Sequence, residues 1–367
     1  MRAPASTDAI GDHGAARTGL HNILVIGPSW VGDTLLAQPL LRRLKEQHPN
    51  AQLDVLAPAW TLPLLQRMPE VTRGIASPFT HGELSLPARL ALARDLRARR
   101  YDQAVVLPNS FKSALIAWLA RIPLRTGYVG EFRYGLLNDA RRLDPHALPT
   151  MADRYAALAQ PRGTPLHRPL PPLRLNVDPG ARQQLLHRLG VSLSTPVVCI
   201  CPGAEYGPAK RWPVEHFAQL ARELRHDGFQ VWIIGSNKDR DLGAEIAQHA
   251  DGAATDLTGH TTLDQVVDLL SCAQHVVSND SGLMHVAAAL GVSLIALYGS
   301  SSPTFTPPLS AHAHILKLDL PCSPCYKREC PLGHFNCMRQ LSPRQVHDAL
   351  VPMQMSSPRD PALKDET

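Results

Sequence analysis

The feature that most restricts what this chain can fold into is a repeated unit: a short apolar run, a Gly- or Pro-Gly-containing loop, then an amphipathic stretch of helical length. It occurs at 22–27 (NILVIG) leading into 33–47, and again at 197–201 (VVCIC) leading through a loop into 213–227. Apolar runs without alternation read as strands buried on both faces, the habit of parallel sheets. Further strands are predicted at 52–56 and 102–107, with helices at 84–100 and 111–120. A proline-rich stretch, 161–172 (PRGTPLHRPLPP), cannot sustain regular pairing and reads as a linker. The pattern then restarts, with helices at 178–189, 213–227, 240–249, 262–271 and 281–290. Strands at 197–201, 230–234, 275–278 and 292–298 complete it. Strand–helix alternation carried out twice predicts an α/β chain of two doubly wound, Rossmann-like domains facing a cleft. In such sheets ligands sit beyond the carboxyl ends of the strands.

The expected division is a disordered extension (1–20), an N-terminal domain (21–165) and a linker (166–176). A C-terminal domain (177–352) with a Cys-rich segment (322–337) and a flexible tail (353–367) follow. No apolar run approaches the roughly 18 residues of a membrane helix, and residues 286–298 are too short. The first 20 residues lack the apolar core of a secretory signal. Transmembrane, secreted and collagen-like classes are therefore excluded at this level, and a cytoplasmic protein is expected. Charge is uneven. Residues 1–170 hold 21 Lys+Arg against 13 Asp+Glu, net +8; the rest hold 16 against 19, net −3, giving the chain's +5. A basic first half suits a phosphorylated substrate or lipid headgroup. Aromatic residues are only 5% and do not interleave with the basic stretches, so nucleic acid is not expected as a partner.

Three strand-to-helix loops carry chemistry-bearing residues. In GPSWVGD (27–33), Asp33 falls in the first turn of a helix at a strand's carboxyl end, where it serves either as a capping acid or as a base. In CPGAEYGPAKRWP (201–213), small residues permit close backbone approach, and Lys210 offers a point charge suited to phosphate, or is a plain surface lysine. In SNDSGLMHVAAAL (278–290), Ser281 and Gly282 open a helix whose free N–H groups suit an anion. Asp280 and His285 flank them, with capping and a satisfied helix histidine as the plain readings. Asp239-Arg240-Asp241 has the form of a metal-holding acidic pair, but first-turn acid placement accounts for it. Leu257-Thr258-Gly259 could present main-chain groups to a base.

Seven cysteines, an odd count, argue against a disulfide scaffold. Cys322, Cys325, Cys330 and Cys337 cluster with His334 among them, which suits tetrahedral thiolate binding of structural zinc. The spacing is not that of a standard finger; a reducible disulfide, a plain loop or an iron–sulfur site stays open.

Beyond these, ILVIGPSWVGDTLLAQPLLRRL (23–44), APAW (57–60), RMPEV (67–71), VLPNSFKSAL (106–115), RTGYVGEFRYGLLND (125–139) and LYGSSSPTFTPPLS (297–310) can be set beside the second and third loops. Together they resemble the ADP-heptose:lipopolysaccharide heptosyltransferases of glycosyltransferase family 9, over about residues 22–352. The resemblance implies a GT-B fold and inverting transfer of L-glycero-D-manno-heptose from ADP-heptose to the first heptose of the lipopolysaccharide inner core. It implies no cofactor for catalysis. Asp33 would be the general base. Glu205, Tyr206, Lys210, Asp239, Leu257, Asp280, Ser281, Gly282 and His285 would bind the ADP-sugar donor: Lys210 and the Ser281–Gly282 helix start the diphosphate, Asp239 the ribose, Leu257 the adenine through its main chain. Asn109, Lys112, Arg121, Arg125 and Arg133 would meet the phosphates and carboxylates of a heptosylated Kdo-lipid A acceptor. Such an acceptor implies peripheral contact with the cytoplasmic face of the inner membrane. Other readings are a heptosyltransferase with a different core acceptor, a related epimerase, and a non-catalytic nucleotide- or zinc-responsive module.

Overall fold

A computed structural model describes residues 20–79 and 85–356. The extension expected at 1–20 falls outside them except for Leu20. Of the tail expected at 353–367, residues 353–356 continue a helix and the remainder lies outside the described residues.

The chain builds two six-stranded sheets, parallel throughout. The first holds β1 (Asn22–Ile26), β2 (Gln52–Pro58), β3 (Arg73–Ser77), β4 (Gln103–Val106), β5 (Leu124–Tyr128) and β6 (Asp139–Arg141), in the order β3-β2-β1-β4-β5-β6. The second holds β7 (Val197–Cys201), β8 (Gln230–Ile233), β9 (Ala254–Asp256), β10 (His275–Asn279), β11 (Ser293–Tyr298) and β12 (Ala313–Lys317), in the order β12-β11-β10-β7-β8-β9. Helices of the first part are α1 (Val31–Leu36), α2 (Gln38–Gln47), α3 (Leu62–Leu65), α4 (Leu86–Ala98), α5 (Phe111–Leu119) and α6 (Met151–Ala157). Those of the second are α7 (Pro179–Leu189), α8 (Val214–His226), α9 (Arg240–His249), α10 (Leu263–Leu270), α11 (Gly282–Ala289), α12 (Asn336–Arg339) and α13 (Pro343–Ser356). Two doubly wound α/β halves are what the alternation predicts.

The strands read from sequence are the central ones. Ile23, Leu24, Val25, Val105, Val198, Ile200, Val276, Val277, Leu294 and Ile295 are buried between helices on both faces, so they read as unbroken apolar runs. The missed strands β3, β6, β9 and β12 lie at sheet edges, and β5 next to one; their residues are mostly half-exposed and carry no such run. The helix predicted over 33–47 is two helices. Pro39 has no N–H to give and its ring crowds the carbonyl four residues earlier, so α1 closes at Leu36 and α2 starts afresh.

The proline-rich connection is not slack. Arg42 donates to the Pro172 carbonyl at 2.5 Å, Arg43 to those of His167 and Pro169 at 2.5 and 3.1 Å, and Gln38 exchanges bonds with the Arg174 backbone. With Leu173 and Leu175 buried, the segment is a strap laid along α2. Beyond it, buried Asp268 on α10 takes Arg67 at 2.5 Å and the Asp178 N–H at 2.9 Å, tying the two halves together.

Candidate active site

The loops after β1, β7 and β10 converge where α1 of the first half meets α11 of the second. The approach is close enough to need glycine on both sides. A methyl built on Gly32 would stand 2.8 Å from Cδ2 of His285, and one on Gly282 would stand 2.9 Å from Cβ of Val31. Two helix N-termini, each the positive end of its dipole, therefore face one gap.

Asp33 lies in the first turn of α1, but the N-cap is Trp30, and no described residue hydrogen-bonds the Asp33 carboxylate. The capping reading is thereby set aside. Burial pushes its carboxyl up to about 6; the nearby Lys210 charge opposes that shift and Asp280 adds to it. Asp33 thus senses two residues of the other half across the gap.

Asp280 is buried at the carboxyl end of β10. Its Oδ2 takes Lys210 Nζ at 2.5 Å and the hydroxyl of Ser301 at 2.5 Å. Lys210 ends a 3-10 turn, Pro208–Lys210, after β7, and its ammonium also lies 5.1 Å from the centre of the Tyr206 ring. His285 is buried, its Nδ1 has no partner, and burial lowers its imidazole to about 4, which keeps it neutral. Ser281 is the N-cap of α11 without a side-chain cap bond, so the first N–H groups of that helix stay open to a ligand.

Other donor-side residues fall around this centre. Asp239 caps its own turn through Ser236, at 2.8 and 2.7 Å, while its carboxylate lies against Gly203 of the β7 loop. Glu205 is exposed and pairs with Lys238 at 2.5 Å. Tyr206 donates its hydroxyl to the Tyr326 carbonyl at 2.9 Å. Leu257 directly follows β9. It is buried, its N–H is spent on the Ile233 carbonyl at 3.0 Å, and its carbonyl already accepts from His260 at 3.3 Å. Its N–H thus serves the sheet, and its carbonyl faces the turn that follows.

The acceptor-side set divides. Asn109 and Lys112 lie just beyond the carboxyl end of β4, on the rim that carries Asp33. Arg121 and Arg125 do not. α5 carries the chain back to the amino edge of the sheet, so Arg121 follows its last turn there, and Arg125 is the second residue of β5, paired with Ala104. Arg125 spends its guanidinium on the carbonyls of Leu136 and Ile122, both at 2.6 Å. Arg133 is 2% exposed and donates to Pro108 O, Asn109 Oδ1 and Tyr128 O. Arg121 is thus on the far edge of the sheet, and Arg125 and Arg133 brace loops of their own half.

Three residues of the site escape sequence reasoning. Tyr155 on α6 is buried, and its hydroxyl is pushed up by burial and then by the Asp33 charge. Asn279 is buried and joins two loops, accepting from Trp212 N–H at 3.1 Å and donating to the Pro202 carbonyl at 2.8 Å. Ser301 is the second partner of Asp280. Each gains its role from a fold-level neighbour over 20 residues away in sequence.

The four clustered cysteines are free and half-buried. Burial, then the neighbouring Cys325, Cys322 and Cys330, push the Cys337 thiol up, while backbone N–H groups hold that of Cys330 below its usual range. Among the described residues no three His, Cys, Asp or Glu side chains stand at coordinating positions. A cavity of about 630 Å³, lined by Thr150, Asp153, Arg168 and Leu309 among others, includes none of the Asp33, Lys210 or Asp280 loops.

Residues 89–336 match glycosyltransferase family 9 (heptosyltransferase). The chain is 48% identical to lipopolysaccharide heptosyltransferase 2 of Salmonella typhimurium over 337 residues, 89% of this chain and 97% of that one. It is 44% identical to lipooligosaccharide heptosyltransferase 2 of Haemophilus ducreyi over 338 residues, 88% and 97% of the two chains. The solved structure of E. coli ADP-heptose LPS heptosyltransferase II superposes with a TM-score of 0.82 at 44% identity, covering 91% of this chain and 98% of that chain. The chain belongs to glycosyltransferase family 9, the heptosyltransferases, and has their two-domain GT-B fold.

Proposed function

We propose that this enzyme moves L-glycero-D-manno-heptose from ADP-heptose onto the first heptose of the lipopolysaccharide inner core, with inversion. The observation that carries this is Asp33 of one half, unbonded and raised to about 6, sensing Lys210 and Asp280 of the other half. The similarity to heptosyltransferases 2 supports the choice of donor and acceptor.

In this reading Asp33 accepts the proton of the acceptor hydroxyl as its oxygen attacks C1 of the bound sugar. The C1–O bond to the diphosphate breaks on the opposite face, and ADP departs. Lys210 and the open N–H groups at the start of α11 take up the charge that grows on the diphosphate. No cofactor takes part. One base and a single displacement give inversion. Asp280 holds Lys210 in place, and His285, neutral, fills the seam beneath Gly32. Asp239 is set to meet the ribose from the β7–β8 edge. Asn109 and Lys112 remain on the acceptor side. The enzyme would work at the cytoplasmic face of the inner membrane as a peripheral protein; no helix among the described residues is long and apolar enough to cross a membrane. The cysteine cluster is proposed as a structural zinc site.

The test is to incubate the protein with ADP-heptose and core acceptors ending in Kdo or in the first heptose, then weigh the products. A one-heptose mass gain on the heptose-ended acceptor alone is expected. Gain on the Kdo-ended acceptor, or on neither, would overturn the assignment.

A further inference from the structure

The loop that leaves β11 touches both halves of the molecule. It gives Ser301 to Asp280 and, a few residues further on, Phe305 to α6. Helix α6 belongs to the first half, where it packs on α1 and α2. The first N–H groups of a helix have no partner within it. In α6 the Asp153 N–H goes to the Thr150 hydroxyl at 3.0 Å, whereas the Met151 N–H crosses to the Phe305 carbonyl at 2.9 Å. One turn on, the Arg154 guanidinium lies 4.7 Å from the centre of the Phe305 ring, where the ring's quadrupole attracts a cation. Its Nε donates to the Leu148 carbonyl at 3.1 Å, and the Arg154 carbonyl accepts the Tyr128 hydroxyl at 2.7 Å, so Arg154 is held from its own side. Phe305 is thus gripped twice by α6, at its backbone and at its ring.

Between Ser301 and Phe305 the loop is stiff. The Phe305 N–H donates to the Ser302 carbonyl at 3.3 Å, closing a four-residue turn in which Pro303 has its φ fixed by its ring. The hydroxyls of Ser302 and Thr304 meet at 2.6 Å inside that turn. Just past it, the Thr306 carbonyl accepts the Tyr298 hydroxyl at 2.8 Å, which folds the loop back onto β11. A loop braced in this way carries a displacement of Phe305 through to Ser301. There the hydroxyl donates to Asp280 Oδ2 at 2.5 Å, the same oxygen that takes Lys210 Nζ at 2.5 Å. With both bonds on one oxygen, the place of Ser301 decides where that oxygen stands, and the ammonium follows it.

We propose that Phe305 and Arg154 are positioning residues for the donor phosphates: from the first half, α6 sets the Ser301–Phe305 loop, and the loop sets the Asp280–Lys210 pair. Both act through Ser301. The effect on a nucleoside diphosphate rests on the donor-site reading above.

ADP is titrated by calorimetry into the full-length protein and into Phe305→Leu, Arg154→Gln, Ser301→Ala and the Phe305→Leu, Ser301→Ala double variant, each checked by circular dichroism and thermal melting. Phe305→Leu keeps apolar bulk but has no ring face, and should weaken ADP about fivefold, the low end of coupling between two sites. Arg154→Gln should do the same, and Phe305→Tyr, which keeps the ring, should hold native affinity. Because the route runs through Ser301, the double variant should bind no more weakly than Ser301→Ala alone. Native Kd in both Phe305→Leu and Arg154→Gln, even with a lowered Tm, makes the contact a structural one and overturns the proposal. Losses that add in the double variant overturn the route through Ser301. Lys210→Ala is run in parallel. A loss of ADP there, with native Kd in the Phe305 and Arg154 variants, sinks the proposal alone, while an unmoved Kd in Lys210→Ala removes the donor-site reading and the proposal with it.

Discussion

Lys210 reaches Asp280 at 2.5 Å, a buried carboxylate fastening the one ammonium that the β7 loop brings to the gap. The pair holds Lys210 at the gap, where the proposed reaction puts the diphosphate. Lys210→Ala should weaken ADP about tenfold or more, the worth of a charge-assisted hydrogen bond. It should also leave Asp280 buried without its cation. Calorimetry with ADP checks the first effect, and an unchanged Kd would remove Lys210 from the phosphate site.

Asp33 should act on turnover and not on donor binding. Asp33→Ala is expected to cost about 10²–10⁴ in kcat, the range for a lost general base, with ADP affinity nearly intact. Because the carboxyl is raised to about 6, kcat/KM of the native enzyme should fall with one proton as pH drops below that value. The linkage has the matching sign: the fold favours protonated Asp33, so that contribution is full below about 3.8 and lost as pH rises through about 6. Asp33→Asn should therefore melt higher than the native protein above pH 6, and the gap should close towards pH 4. A pH-independent gap would contradict the burial argument.

Gly32→Ala would press a methyl into the His285 ring from 2.8 Å. The ring is buried, so a loss of about 1–3 kcal/mol in stability is expected. Turnover should fall with it, since the same contact sets the spacing of α1 and α11. Thermal melting and steady-state kinetics measure both, and a neutral substitution would mean that the seam is looser than its geometry implies.

Asp268→Ala removes the buried partner of both Arg67 and the Asp178 N–H. Removing one member of a buried pair costs about 3–5 kcal/mol, and a lower Tm is the expected reading. Asp268→Asn should recover part of the loss, because the amide oxygen still accepts from Asp178.

What the sequence revealed follows burial. The central strands β1, β2, β4, β7, β8, β10 and β11 are covered on both faces and announce themselves as apolar runs. Edge strands such as β6 (Asp139–Arg141) and β9 (Ala254–Asp256) are three residues long and half-exposed, with no pattern to read. The same logic holds at the site. Asp33, Lys210 and Asp280 sit in strand-to-helix loops that local spacing identifies. The resemblance groups Arg121 and Arg125 with Asn109 and Lys112, and local spacing does not reveal that α5 returns the chain to the far edge of the sheet. Tyr155, Asn279 and Ser301 depend on neighbours distant along the chain, which spacing alone does not reveal.

The strap from Pro161 to Asp178 is fastened along α2 by Arg42, Arg43 and Gln38. A hinge laid down this way has little freedom near its first half. Any opening of the gap must then be borne by the Arg67–Asp268 joint and the glycine-spaced seam. On the proposed reading Asp33 and the Lys210–Asp280 pair would then swing apart as rigid jaws, so that ADP-sugar in the open state would have no base beside it and would be spared from idle hydrolysis.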